Sequence, residues 1–204
     1  MSDPGKKTIQ QEKSRAMRQR LITATLDCLQ KFGYHGASLS KILDTAGVSR
    51  GAWRHHYETK NDLVAAASEY LLSTAVKRAH DVAPQLSETS RDIEDILEYI
   101  WEEFYQGDYR DVWIEFNIAC RTNKQLYERL TPVIRSFFDE MDSIWEQYMG
   151  YMSRPGISVG NIMNLSLYLM RGMAVQSISL DNPEHYREMR SQWAKMVYLL
   201  IDQQ

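Results

Sequence analysis

Residues 47–60, "GVSRGAWRHHYETK", decide the fold, because they can be read in two incompatible ways. Gly47-Val48-Ser49-Arg50-Gly51 spells G-x-S-x-G, the nucleophile elbow of serine hydrolases. Such an elbow needs a buried strand ahead of the serine, then an Asp or Glu, then a His, in that chain order. The residues ahead, "SLSKILDTA" at 38–46, are helix formers without a β-branched run, and no strand pattern carries an acid downstream. Read together with them, the stretch is the turn and second helix of a helix-turn-helix. Ser38 can cap a short helix holding Ile42 and Leu43, Gly47 can take the positive φ that ends it, and Ser49 can cap the next helix, running to about His56. Ser49 is then a cap and not a nucleophile. Ile42, Ala46, Val48, Trp53 and Tyr57 are expected inside, which turns Arg50, Ala52, Arg54 and His55 towards a DNA major groove.

Charge supports a polyanionic partner for this segment. Residues 1–60 carry 11 Lys and Arg against 5 Asp and Glu, whereas residues 61–204 carry 13 against 22, so a basic head precedes an acidic remainder. Cys28 and Cys120 lie far apart outside any metal-ligand spacing, which argues against structural zinc and against a disulfide framework, and fits a reducing cytoplasm. Cys28 is expected to pack in the first helix; Cys120 would sense oxidants only if exposed and acidified. The N-terminus lacks a signal-peptide core, and no apolar run approaches the ~18 residues that cross a bilayer. No cofactor or metal motif is read.

The rest of the chain is punctuated as helices, without strand alternation or hairpin turns, so the expected fold is all-α. A first helix is expected from about Ser14 to Phe32, with Leu21, Ile22, Leu26, Leu29 and Phe32 on one side, Gly33 as its stop and a flexible tail before it. Thr59 and Asp62 form a capping box for a helix expected to end before Pro84. Helices follow at about 89–106 and 109–121, then from Asn123 to Met152 with Pro132 kinking or splitting it, from Ser158 to about Leu180, and from Asn182-Pro183 to near Ile201. The division expected is a DNA-binding domain over 1–60 and a larger domain over 61–204.

These residues resemble the tetracycline-repressor (TetR) family of transcriptional regulators. The resemblance runs through "RQRLITATLDCLQKFGY" and "ASLSKILDTAGVSRGAWRHHYETKNDLV", and is closest at Ala46-Gly47-Val48-Ser49, Gly51-Ala52, His56-Tyr57 and Thr59-Lys60, followed by Asp62-Leu63. Two positions depart from the family pattern: Trp53 stands where leucine is usual, and Arg54 where a phosphate-contacting tyrosine is usual, so Arg54 has either a phosphate or a guanine edge open to it. The resemblance implies phosphate contacts from Ser38 and Lys60, which position without reading sequence. The candidate DNA-binding set is therefore Ser38, Ser49, Arg50, Ala52, Arg54, His55, His56 and Lys60.

It also implies a later helical region that binds a small molecule, and a last helix pair that joins two subunits. The candidate effector contacts are Trp101, Phe104, Trp113, Phe116, Asn117, Arg121, Phe138, Trp145, Tyr168 and Arg171: aromatic side chains with a few polar groups to orient a ligand. Asn117, Arg121 and Arg171 have an alternative as structural partners of acids such as Glu115 or Glu102. Residues 162–180 are apolar almost all round, and Met189, Trp193, Met196, Val197 and Leu200, with Tyr186, form a stripe on the last helix. Two such helices exceed what one small core can cover, which favours a homodimer. The function expected is a ligand-responsive repressor of a palindromic DNA operator, with no enzymatic activity and no membrane partner. The alternative is a helical small-molecule or protein-binding module without DNA binding.

Overall fold

A computed structural model describes residues 4–88 and 93–201. Its helices are α1 (Pro4–Gly36), α2 (Leu39–Ala46), α3 (Arg50–Trp53), α4 (Lys60–Glu88), α5 (Ile93–Phe104), α6 (Gly107–Thr122), α7 (Lys124–Met149), α8 (Val159–Gln176) and α9 (Pro183–Ile201), with a 3₁₀ turn at Gly150–Met152. No strand occurs among the described residues. The chain divides into two compact units, one of Met1–Leu71 with Asp111–Val133 and one of Leu72–Arg110 with Ile134–Gln204. This packing division differs from the division expected at residue 60, since most of α6 and the start of α7 belong with the N-terminal helices.

In the first unit Leu21, Leu29, Ile42, Leu63, Val64, Phe116, Leu126 and Leu130 are fully enclosed. Each such side chain contributes about 1.5–3 kcal/mol relative to exposure. Thr25 is buried without cost to the core because its hydroxyl donates to Leu21 O at 2.7 Å. Cys28 is buried, its sulfur 3.5 Å from the Thr45 hydroxyl. The α1 helix opens at Pro4 rather than at about Ser14, since the stretch between Gly5 and Gly33 contains no breaker. Phe32, expected inside, is exposed, with the Lys41 ammonium 4.2 Å over its ring.

In the second unit Leu97, Ile144, Met163 and Met170 are enclosed, together with Trp101, Trp145 and Val197. The helix expected to stop before Pro84 runs on to Glu88. Proline removes a single ladder hydrogen bond, while Ala75, Ala79 and Ala83 keep the buried stripe going on its approach. Pro132 likewise lies inside α7. Residues 89–92, where the next helix was expected to open, fall outside the described residues. Asn182 Oδ1 accepts from His185 N at 3.2 Å, which caps α9 with Pro183 at its first position.

Candidate functional site: a nucleic-acid interface

The helix-turn-helix is held by its caps. Ser38 Oγ accepts from Lys41 N at 3.3 Å and Ser49 Oγ accepts from Ala52 N at 3.2 Å. Each hydroxyl accepts a backbone N–H of its own helix and leaves its O–H to donate elsewhere. Between them Gly47 is left-handed (φ 60°, ψ 41°), and Val48 N closes the turn on Leu43 O at 3.0 Å. Ile42, Ala46, Val48 and Trp53 are buried and Tyr57 is half-buried. The indole of Trp53 thus takes the inward place that leucine usually fills, at the expected register.

The opposite face is cationic. Arg50, Arg54 and His55 are exposed, and Ala52 and His56 half-buried. Arg50 Nη2 donates to Ser40 Oγ at 2.6 Å, which pins the guanidinium across the two short helices. The α-helical geometry of α3 ends at Trp53, and hydrogen-bonded turns carry the chain on to Tyr57. Burial first, then the nearby Arg18 guanidinium and His55, hold the His56 imidazole below the ordinary histidine range. A phosphate contact by His56 as a cation would therefore require it to take up a proton.

Lys60, a candidate phosphate contact, is engaged internally. Its Nζ donates to Tyr34 O at 2.6 Å and sits 4.1 Å over the Tyr34 ring, and burial lowers its pKa. One N–H thus serves a carbonyl that the end of α1 leaves unpaired. The residue that sequence reading did not single out here is Arg20. Its Nη2 donates to Ala46 O at 2.6 Å and Gly47 O at 3.1 Å, clamping the turn from α1. Three arginines in a short run, Arg15, Arg18 and Arg20, were the available signal, but spacing alone does not tell a clamp from a solvated face.

The expected effector residues divide between the units. Trp113, Phe116, Asn117 and Arg121 belong to the first. Phe116 is fully enclosed with the Trp113 ring edge-on at 6.2 Å, Asn117 Nδ2 bonds back to Trp113 O at 2.7 Å, and Arg121 is exposed. Glu115, weighed as an arginine partner, accepts instead from Tyr34 N at 2.7 Å. The other six lie in the second unit. There Arg171 is half-buried, 5.0 Å from the Phe138 ring and 5.5 Å from the Tyr168 ring, and hydrogen-bonded to the Tyr105 hydroxyl. Tyr168 itself is exposed, while Trp145 is buried with an indole N–H that has no hydrogen-bond partner among the described residues. Trp101 stacks on Tyr105 and Tyr186 and carries Arg190 4.3 Å over its face. Phe104 meets Tyr109 edge-on at 5.6 Å.

None of these ten residues lines the open cleft of about 550 Å³ found in the first unit, which is bounded by His56, Tyr57, Asp62, Glu69 and Arg129. Cys120 is half-buried, and burial pushes its thiol up, away from the low values of oxidant-sensing cysteines. Among the described residues no group of His, Cys, Asp and Glu is arranged to hold a metal ion, and no helix is long and apolar enough to cross a membrane.

The expected dimer stripe splits in two. Met189, Met196 and Leu200 are exposed, but Val197 is wholly enclosed, so it supports that face from behind and is not part of it. Trp193 is half-buried and donates its indole N–H to Ser166 Oγ at 2.8 Å, tying α9 to α8 within the chain. Periodicity could not separate the two sides because Tyr186, Val197 and Ile201 face inward while Tyr198, Leu199 and Leu200 leave apolar surface outside.

Capped short helices at a left-handed glycine turn, with a cationic outer face, define a helix-turn-helix DNA-binding protein. A family model described as bacterial regulatory proteins, tetR family, matches residues 21–67. The matched segment spans the helix-turn-helix, so the chain carries a tetR-family DNA-binding segment there. It is 26% identical over 189 residues to the HTH-type transcriptional regulator CymR of Pseudomonas putida, covering 91% of each chain. In fold it is similar to a transcriptional regulator from Rhodococcus sp. Rha1 (TM-score 0.72, 21% identity, 91% of this chain and 97% of that one). It is also similar to the regulator FadR of Bacillus subtilis in complex with stearoyl-CoA (TM-score 0.63, 14% identity, 90% and 97%).

Proposed function

We propose that this regulator is a cytoplasmic homodimer that represses transcription from a near-palindromic operator and is released by a small amphipathic effector. The observation that carries the DNA-reading part is the pair of serine caps flanking Gly47, which orients a short helix with Arg50, Arg54 and His55 outward. Two such helices related by a two-fold axis read half-sites a whole number of helical turns apart. Pairing is supported by the outer faces of α8 and α9, where Leu165, Tyr168, Val175, Ile178, Met196 and Leu199 leave apolar surface that water solvates poorly.

Residues 1–60 then form the DNA-binding part and 61–204 the effector-binding and pairing part. For the effector, Arg171 beside Phe138, Tyr168 and Tyr105 supports a ligand with an apolar or aromatic body and an anionic or acceptor group. FadR, of the same fold, takes stearoyl-CoA, which joins a long acyl chain to phosphates. Release requires that the ligand bind the DNA-free conformation more tightly than the DNA-bound one. The test is selection of fragments from random-sequence DNA by the purified chain, followed by a ligand screen on tryptophan fluorescence and fragment release. An enriched inverted repeat and a ligand response weakened in Arg171→Ala are expected; failure to enrich any sequence overturns the operator reading.

A further inference from the structure

We propose that Glu115 and Asn123, at the α6–α7 corner, are positioning residues for DNA reading, acting through Tyr34 and Asn61. This rests on the DNA-binding reading above. Tyr34 is gripped by three segments of the first unit. Its backbone N–H donates to Glu115 Oε2 at 2.7 Å and its carbonyl accepts from Lys60 Nζ at 2.6 Å. Its hydroxyl donates to Asn61 Oδ1 at 2.7 Å while accepting from Asn123 Nδ2 at 2.7 Å. Asn123 Nδ2 lies 3.2 Å from Asn61 Oδ1 as well, and Asn61 Nδ2 donates to Gln125 Oε1 at 2.9 Å.

The consequence is geometric. Asn61 stands in the first turn of α4, one residue after the recognition segment ends at Lys60. Glu115, on α6, and Asn123, between α6 and α7, stand 81 and 89 residues beyond Tyr34, in a part of the chain that contributes nothing to the helix-turn-helix itself. A hydrogen-bond network with donors and acceptors matched in several directions fixes an orientation far better than apolar packing does. Asp62 adds a second tie, its carboxylate capping Thr59 N at 2.8 Å while pairing with Arg129 of α7. The end of the recognition segment is therefore referenced to the α6–α7 corner. Helix capping does not require this: Asn123 Oδ1 already caps α7 by accepting from Leu126 N at 3.0 Å, a task serine performs as well.

Asn123→Ser keeps that cap but is too short to reach Tyr34, and Tyr34→Phe removes the hydroxyl and keeps the ring. Glu115→Ala removes the acceptor for Tyr34 N, which Glu115→Gln retains. The full-length proteins are compared for affinity to the fragment enriched from random DNA and to a scrambled fragment, with thermal melting and amide exchange at Tyr34 and Leu63. Asn123→Ser, Tyr34→Phe and Glu115→Ala are expected to cut the ratio of specific to scrambled affinity roughly two- to thirtyfold. Scrambled-DNA affinity, set by exposed arginines, is expected to hold, and Glu115→Gln to behave as wild type. Folded variants with the wild-type ratio overturn the positioning role alone; a wild-type chain that enriches no fragment overturns the DNA-binding reading, and the positioning role with it.

Discussion

Both carboxylate oxygens of Glu98 accept from Arg190, at 2.7 Å from Nε and 2.6 Å from Nη2, and this fork joins α5 to α9. The Arg190 side chain is almost wholly buried against Trp101, and its Nη1 has no hydrogen-bond partner among the described residues. A cation so enclosed depends on its one counter-charge. Glu98→Ala is therefore expected to destabilise the protein by about 2 kcal/mol, below the ~3–5 kcal/mol for a fully buried pair because Glu98 is one-third exposed. Replacing both, by Glu98→Leu with Arg190→Met, is expected to recover much of the loss. Urea titrations that place the single variant at the wild-type midpoint would show the fork to be dispensable.

Gly33 holds φ 63° and ψ 174°, and an added Cβ would lie 2.9 Å from Glu115 Oε2. Gly33→Ala is expected to cost roughly 1–3 kcal/mol from the backbone alone, and more from the displaced carboxylate. Pairing it with Glu115→Ala removes only the second part. Additive losses in a double-mutant cycle would mean that the carboxylate moves aside freely.

Burial first, then Arg18 and His55, hold His56 below the usual histidine range in the DNA-free protein, and Glu58 and Glu69 line the same cleft. A phosphate beside it favours the imidazolium, so the complex binds a proton that the free protein does not. Affinity for DNA is expected to rise as pH falls below neutrality, and His56→Ala to flatten part of that dependence. Parallel pH profiles for the two proteins would place His56 away from the phosphates.

Arg54→Ala is expected to make the dependence of log affinity on log salt shallower by about one unit if it meets a phosphate, or to relax one base position if it meets guanine. Lys60→Ala, unlike Arg54→Ala, is expected also to lower the melting temperature, because its ammonium serves Tyr34 O. A Lys60 variant with unchanged melting would mean that this contact contributes nothing to stability.

For pairing, the informative positions are Met196 and Leu199, 55% and 64% exposed. Either one changed to Glu is expected to give a folded monomer by sedimentation, since the charge lies in water in the monomer and is desolvated only in a dimer. Trp193→Glu is a poorer probe because it also removes the bond to Ser166. Dimers persisting in both Met196→Glu and Leu199→Glu at micromolar concentration would move the interface off α9.

The DNA-reading part of the fold was legible because each step has a local chemical signature: Ser38 and Ser49 as caps, Gly47 as the turn, Thr59 and Asp62 as a reciprocal box with bonds of 2.8 and 3.2 Å. The stripe on α9 was legible as apolar but not as two-sided, since burial against α5 and α8 depends on tertiary packing. Pro84 misled because its cost is a few kcal/mol, which a long helix with one buried stripe absorbs. The grip on Tyr34 was invisible: its partners, Asn61, Glu115 and Asn123, are ordinary polar residues far apart in the chain, and Glu115 was weighed only as a counter-ion for arginines.

The grip of Glu115 and Asn123 on Tyr34 also bears on how such a regulator can be taken apart. A chimera that joined residues 1–60 of this chain to the sensing region of a relative would carry the caps and the cationic face, yet leave Tyr34 without Asn61, Glu115 or Asn123. A transplant that keeps the reading head intact has to extend to residue 71 and bring 111–133 along as a second insert. The smallest exchangeable cassette is thus discontinuous in sequence, and grafting at the apparent linker alone would yield a head with the right letters and the wrong aim.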